Sequence, residues 1–292
     1  ESRREALDTE HSVIIETLER NSNPCRPSRA FRYIFVYSED DKEIEIEAEY
    51  EYLPIEDKGS FECDDEKIRK IWDTCAYTFH LNSRECYLDG IKRDRWVWSG
   101  DAYQSFKINR YLYNDADITE RTITALFGKP PYKRHINTIN DYSAYLIISV
   151  WEHYFASGSK LFLERVYPKV KELYKFIISR LDENGYAVKR DGDWIFIDWG
   201  VLDKDGIHCA EQILLWQGYN SMAKLACESI RRAIKLHETF TDEDFKALIV
   251  SLFDTCFCNT KKTSIKVCAL SILKDSIAHW TEKKDHGVSE SS

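Results

Sequence analysis

The spacing of apolar residues changes near Gly59, and this change sets what the chain can fold into. Before it, apolar and polar residues alternate, as in "AFRYIFVYS" and "EIEIEAEYEYL". A repeat of two is typical of strands with one buried face. Beyond it, apolar residues recur every three or four positions, which is typical of amphipathic helices. The sequence therefore predicts a short antiparallel β segment within residues 31–55, followed by a long helical region.

The helical region consists of successive amphipathic stripes separated by loops with glycine or proline. The first stripe begins near Asp64 and places Ile68, Trp72 and Phe79 on one face. Acidic residues stand in its first turn, as expected at a helix N-terminus. This arrangement predicts helical hairpins in series. The other predicted helices cover residues 101–113, 115–127, 140–157, 160–182, 207–235, 241–257 and 264–280.

Bulk composition narrows the class of protein. A formal net charge of -9 argues against nucleic acid as a partner. The longest apolar runs, such as "YLIISVW", are too short to span a bilayer. Nine cysteines, an odd number without zinc-site spacing, favour reduced thiols, the cytoplasm and no metal site. The charged start is not a signal peptide and leaves open a leader removed upstream.

Two stretches combine aspartates with tryptophans. One is "YLDGIKRDRWVWSGDAY", residues 87–103, and the other is "VKRDGDWIFIDWGVLDKDG", residues 188–206. A tryptophan face matches the C–H face of a sugar ring, and carboxylates accept hydrogen bonds from sugar hydroxyls. Paired carboxylates also perform acid–base chemistry on a glycosidic bond. One interpretation is therefore a sugar pocket that contains a general acid.

Other interpretations of these stretches stay open on the residues alone. A loop rich in aspartate and arginine is often a solvated turn with local ion pairs. A calcium cage is a further option, although Asp89, Asp94 and Asp101 lack EF-hand spacing. Trp194 and Trp199 are equally compatible with a place in the core.

The stretch "DGIKRDRWVWSGD" resembles the acidic motif of the α-L-rhamnosidases of glycoside hydrolase family 78. That motif lies at the mouth of an (α/α)6 barrel, and many relatives have glutamate where Asp94 stands. The resemblance extends over about residues 30–235, including "INDYSAYLIISVWEHYF" and "GDWIFIDWG". The matching motif positions are Asp89, Arg93, Asp94, Arg95, Trp98, Gly100 and Asp101.

The resemblance implies a mainly α fold, with (α/α)6-barrel-like hairpins that are incomplete in this chain. Six hairpins need twelve helices, and the stripes above number eight. Residues 1–58 would then be a lead-in and β segment, a remnant of or link to a β-sandwich domain. Residues 59–292 would form the helical catalytic domain, with its C-terminal part incomplete.

The resemblance also implies an inverting glycosidase that acts on rhamnose-containing carbohydrate without a cofactor. Asp94 would be the general acid. Glu282, in "HWTEKKDHG", is the candidate for the catalytic base. A non-catalytic or truncated sugar-binding relative is the alternative function. The substrate-binding candidates are Asp89, Arg93, Trp98, Asp101, Asp141, Tyr142, Asp193, Trp194 and Asp198.

Overall fold

A computed structural model describes residues 30–35, 37, 49–92, 94–200, 206–236 and 243 of the 292-residue chain. This part is helical and contains a single short 3-10 turn, Ile136–Thr138, just before its central helix. The helices are α1 (Glu66–Asn82), α2 (Ser99–Leu112), α3 (Ala116–Phe127), α4 (Asn140–Ser157), α5 (Lys160–Ser179) and α6 (Cys209–Leu236).

All six helices were predicted from the apolar spacing, with ends that agree to within a few residues. The largest difference is in α5, which ends at Ser179 and not at residue 182. There the chain turns back on itself, because Leu181 pairs with Ala187 in an isolated antiparallel bridge. The predicted helices 241–257 and 264–280 lie outside the described residues, apart from residue 243.

The predicted β segment is not seen in the part of residues 31–55 that the structure describes. Residues 30–35, 37 and 49–55 form no strand, and the remainder lies outside the described residues. Residues 49–55 instead lie along α1 and the loop that follows it. Tyr52 stacks on Tyr50, with ring centroids 5.2 Å apart, and contacts His80 of α1. The alternation predicts a strand, whereas in the structure Tyr52 contacts a helix.

Local residues account for the helix ends. The Asp65 carboxylate accepts a hydrogen bond from the backbone N–H of Lys67 at 2.8 Å, which caps α1. Asp115 caps α3 in the same way, through the N–H of Ile118 at 3.0 Å. Gly158 ends α4 in the left-handed conformation, with φ of 63°, which glycine adopts without a steric penalty.

Helix α4 is the centre of the described part of the fold, and four of the other helices pack around it. Helix α4 packs between α2 and α6 and also contacts α3 and α5, which contact each other. Its side chains are therefore buried around most of its circumference. Because α2, α4 and α6 alternate with α3 and α5 along the chain, their N-termini lie at one end of the bundle. None of the described helices is long and apolar enough to cross a membrane.

Candidate active site

The site begins where the N-termini of α2 and α4 meet. The Ser99 hydroxyl donates a hydrogen bond to the carbonyl of Tyr142 at 2.8 Å. The Tyr142 hydroxyl donates in turn to the carboxylate of Asp101 at 3.2 Å. Between these contacts Gly100 lies against the Tyr142 ring so closely that an added Cβ would be 2.6 Å from Cε1. The "WSGD" part of the motif thus fits α2 onto α4.

The acidic loop before α2 is closed by two hydrogen bonds between its ends. The backbone N–H of Asp89 donates to the carbonyl of Trp96 at 3.1 Å. The N–H of Trp96 donates back to the Asp89 carboxylate at 3.0 Å. Asp94 lies exposed in the turn between them. Arg93, a predicted substrate contact, lies outside the described residues.

Electrostatic interactions link the three aspartates of this region. Burial raises the pKa of Asp89, and the charges of Asp94 and Asp101 raise it further, while the Trp96 N–H opposes the shift. Burial of the carboxyl group likewise raises the pKa of Asp101, the hydrogen bond from Tyr142 lowers it, and Asp94 raises it. Asp101 is solvent-accessible as a residue, but its carboxyl group lies against Tyr142. The three carboxylates therefore share one electrostatic environment.

The second aspartate–tryptophan stretch reaches the same place. The N–H of Trp194 donates to the carbonyl of Thr138 at 3.0 Å, and the N–H of Asn140 donates to the carbonyl of Trp194 at 3.2 Å. The ring of Tyr142 meets Trp98 and Phe196 edge-on, with centroids 6.3 and 5.9 Å away. The two stretches therefore converge on the start of α4. Phe196 is an aromatic contact that the sequence analysis did not single out.

The three weaker polar candidates occupy different environments. Asp193 has a side chain only 3% exposed and forms an ion pair with Arg180, which anchors its loop to the end of α5. Asp141 is buried at the start of α4. Asp198 is exposed, and its carboxylate accepts a hydrogen bond from the N–H of Trp199 at 2.7 Å. Asp193 is thus held by a charged partner within the fold.

A buried acid that the sequence analysis missed is Glu211, in the first turn of α6. It is 3% exposed, and burial raises its pKa, as do the charges of Asp141 and Asp193. One signal could have found it: Asp101, Asp141 and Glu211 all stand in the first turn of alternate helices. Helical hairpins in series place these first turns at the same end, but only the packing of α6 on α4 shows that Glu211 is buried near Asp141. Glu282, the candidate base, lies outside the described residues.

Helical hairpins with acids and aromatic rings gathered at one end are an arrangement that suits a helical-hairpin glycosidase domain. Residues 56–271 match the family model described as the bacterial alpha-L-rhamnosidase 6 hairpin glycosidase domain. The chain belongs to this family of six-hairpin glycosidase domains.

Individual relatives are distant and longer than this chain. An alpha-L-rhamnosidase of Formosa agariphila is 24% identical over 166 residues, which cover 50% of this chain and 17% of that protein. The structure of a family 78 rhamnosidase of Bacillus sp. GL1 matches 60% of this chain and 19% of its own, with 21% identity and a TM-score of 0.54. A Klebsiella oxytoca rhamnosidase structure with rhamnose bound covers 76% of this chain and 48% of its own, at 17% identity and a TM-score of 0.49. The chain thus spans less than half the length of each of these proteins.

Proposed function

We propose that this domain binds a terminal α-L-rhamnosyl residue and takes part in hydrolysing its glycosidic bond with inversion. The observation that supports this most is the grouping of Asp89, Asp94 and Asp101 beside the rings of Trp98 and Tyr142. Carboxylates beside apolar aromatic faces suit a sugar, which presents hydroxyls at its edge and C–H groups on its faces. Membership of the six-hairpin glycosidase family supports rhamnose as the sugar.

Asp94 is the proposed general acid. It lies in the exposed turn of a loop whose ends are hydrogen-bonded, so its carboxyl group can approach a leaving oxygen that projects from the pocket. Proton donation to that oxygen assists departure of the aglycone. Aspartate is shorter than glutamate by about 1.5 Å. The sugar must therefore lie closer to the backbone here than in relatives with glutamate at this position.

Asp89 and Asp101 are the proposed acceptors for sugar hydroxyls. Each already accepts one hydrogen bond that fixes its direction, from the N–H of Trp96 and the hydroxyl of Tyr142 respectively. A carboxylate has about four acceptor sites, so both retain capacity for a ligand. Trp98, Tyr142 and Trp194 would form the aromatic wall, with Asp141 and Asp198 as further polar contacts. Arg93 would complete the pocket.

Inversion also requires a base that activates water. In inverting glycosidases the second carboxylate lies about 6.5–9.5 Å from the acid. Glu282 is the proposed base. Sugar binding without hydrolysis is the alternative function, and the two make different predictions for the same experiment.

The experiment combines calorimetric titration with L-rhamnose and hydrolysis of an aryl α-L-rhamnoside followed by NMR. The proposal predicts rhamnose binding that Asp101→Asn weakens, and β-rhamnose as the first product. Asp73→Asn, on an exposed face of α1, is the matched control and is expected to change neither. Binding without turnover would support the alternative, whereas no rhamnose binding, or α-rhamnose as the first product, would contradict the proposal.

A further inference from the structure

A small cavity with a mixed polar and apolar lining adjoins the start of α4. It has a volume of about 20 Å3. A space of this size can hold a water molecule if polar groups surround it. The apolar part of its lining comes from α4, α5, α6 and the loop after α5: Ala144, Ile177, Leu181, Ala187, Val188 and Leu215. Its polar lining consists of His135, Asn140, Asp141, Arg180 and Glu211.

The polar atoms near this cavity include several that no protein group satisfies. Among the described residues, neither carboxylate oxygen of Glu211 has a hydrogen-bond partner, although the side chain is buried. The same holds for Oδ1 of Asn140, Nε of Arg180 and Nε2 of His208. Buried polar atoms are nearly always bonded to protein or to ordered water. The cavity therefore suits a water molecule held chiefly by Glu211 and Asn140.

Asn140 connects the cavity to the aromatic wall. Its side chain lines the cavity, and its backbone N–H donates to the carbonyl of Trp194 at 3.2 Å. The N–H of Trp194 donates to Thr138 on the same segment, so Trp194 is tied to the start of α4 at two points. The residue before it, Asp193, is fixed by Arg180. A displacement of Asn140 would therefore carry Trp194 with it.

We propose that Glu211 is a positioning residue for Trp194, acting through Asn140 and a water molecule held in the cavity. This proposal extends the proposed function. It depends on that function only in taking Trp194 as a wall of the sugar pocket. Glu211 itself does not touch the sugar in this account.

The charges around Glu211 favour its neutral form. Burial raises its pKa, and Asp141 on α4 and Asp193 on the following loop raise it further. Asn140, which is near but outside hydrogen-bond geometry, and His208 oppose the shift. His135 and Arg180 also face the cavity. A neutral carboxyl group both donates and accepts, whereas an ionised one only accepts, so ionisation would make the water turn and donate to Glu211, with a change in its bond to Asn140. The position of Trp194 should then depend on pH.

The test is 19F NMR of the full chain labelled with 5-fluorotryptophan, with the Trp194 resonance assigned by its loss in Trp194→Phe. Glu211→Ala is expected to shift or broaden this resonance. Glu211→Gln is expected to leave it nearly unchanged, because the amide keeps the shape and a donor. The matched control is Glu152→Gln, a partly buried glutamate on α4 that bonds Tyr103. It lies about 18 Å along the helix from Asn140, at roughly 1.5 Å per residue.

A pH titration decides the proposal even if Glu211→Ala does not fold. In the wild-type protein the Trp194 resonance is expected to move as Glu211 ionises, and in Glu211→Gln that movement is expected to disappear. If the Trp194 resonance moved equally with pH in the wild type and in Glu211→Gln, the proposal would be overturned. An unchanged resonance in folded Glu211→Ala would overturn it as well. Rhamnose affinity should fall about tenfold in Glu211→Ala, the loss of about one neutral hydrogen bond. Absence of rhamnose binding by the wild type would contradict only the proposed function.

Discussion

Replacing Gly100 by alanine sets two physical effects against each other. Gly100 is the second residue of α2. An alanine in a helix is normally more stable than glycine by about 1 kcal/mol. Here, however, the new methyl group would lie 2.6 Å from Cε1 and 2.8 Å from Cζ of Tyr142. Carbon atoms in favourable contact are about 3.5–4.0 Å apart, so the ring must move by roughly 0.9 Å.

That movement has a cost on both sides of the contact. Inserting a methyl group into a packed site typically costs about 1–3 kcal/mol. The displaced ring would also lose its hydrogen bond to Asp101, now 3.2 Å long, which is worth about 1 kcal/mol. Against the gain in helix propensity, we expect Gly100→Ala to lower the free energy of unfolding by about 1–3 kcal/mol.

The assay is urea unfolding followed by tryptophan fluorescence, with rhamnose titration on the same protein. Gly90→Ala is the matched control, since an added Cβ there meets no atom within 4 Å. It is expected to change stability by less than about 0.5 kcal/mol. If Gly100→Ala were as stable as Gly90→Ala, the close fit of α2 on Tyr142 would be wrong. Weaker rhamnose binding in Gly100→Ala alone would connect this fit to the proposed pocket.

Two further predictions concern capping and pH. Asp115→Ala is expected to lower the free energy of unfolding in urea by about 0.5–2 kcal/mol, because it removes the cap of α3. Asp117→Ala, at an exposed first-turn position without a capping bond in the described structure, should lower it less. Equal losses in the two variants would contradict the capping role of Asp115. Because the folded pKa of Asp101 is raised, the wild type loses stability as pH rises from the unfolded pKa, about 3.9, through the folded value. Asp101→Asn should therefore gain stability relative to the wild type over that window when unfolding is measured from pH 3.5 to 7, and a constant difference would count against a raised pKa.

The helices could be predicted because each has an apolar stripe and recognisable ends. Helix α4 shows this best, since the predicted range 140–157 coincides with Asn140–Ser157 and ends at Gly158. The strand prediction was not confirmed in the described residues because alternation specifies an apolar face without specifying its partner. Tyr52, for example, contacts His80 of α1 and not a neighbouring strand.

The clustering of the candidate site residues could be predicted where they are adjacent in sequence. The motif from Asp89 to Asp101 contains both partners of its loop-closing hydrogen bonds, so these residues are close together whatever the packing of the helices. Glu211 was missed because nothing near it in the sequence marks it, and its burial against Asp141 depends on how α6 packs on α4. The pairing of Asp193 with Arg180 could not be predicted either, because it depends on how the loop folds back onto the end of α5.

The most direct measurement for the central claim, that Asp94 is the general acid, compares two leaving groups. An activated aryl group departs with little protonation, whereas a sugar alcohol needs it. We expect Asp94→Asn to lower kcat/KM on a rhamnosyl disaccharide by about 10²–10⁴-fold, and to lower it far less on an activated aryl α-L-rhamnoside. Asp101→Asn should reduce both by similar factors, because contacts to the rhamnosyl ring do not depend on the leaving group. Equal losses on the two substrates for Asp94→Asn would contradict the assignment.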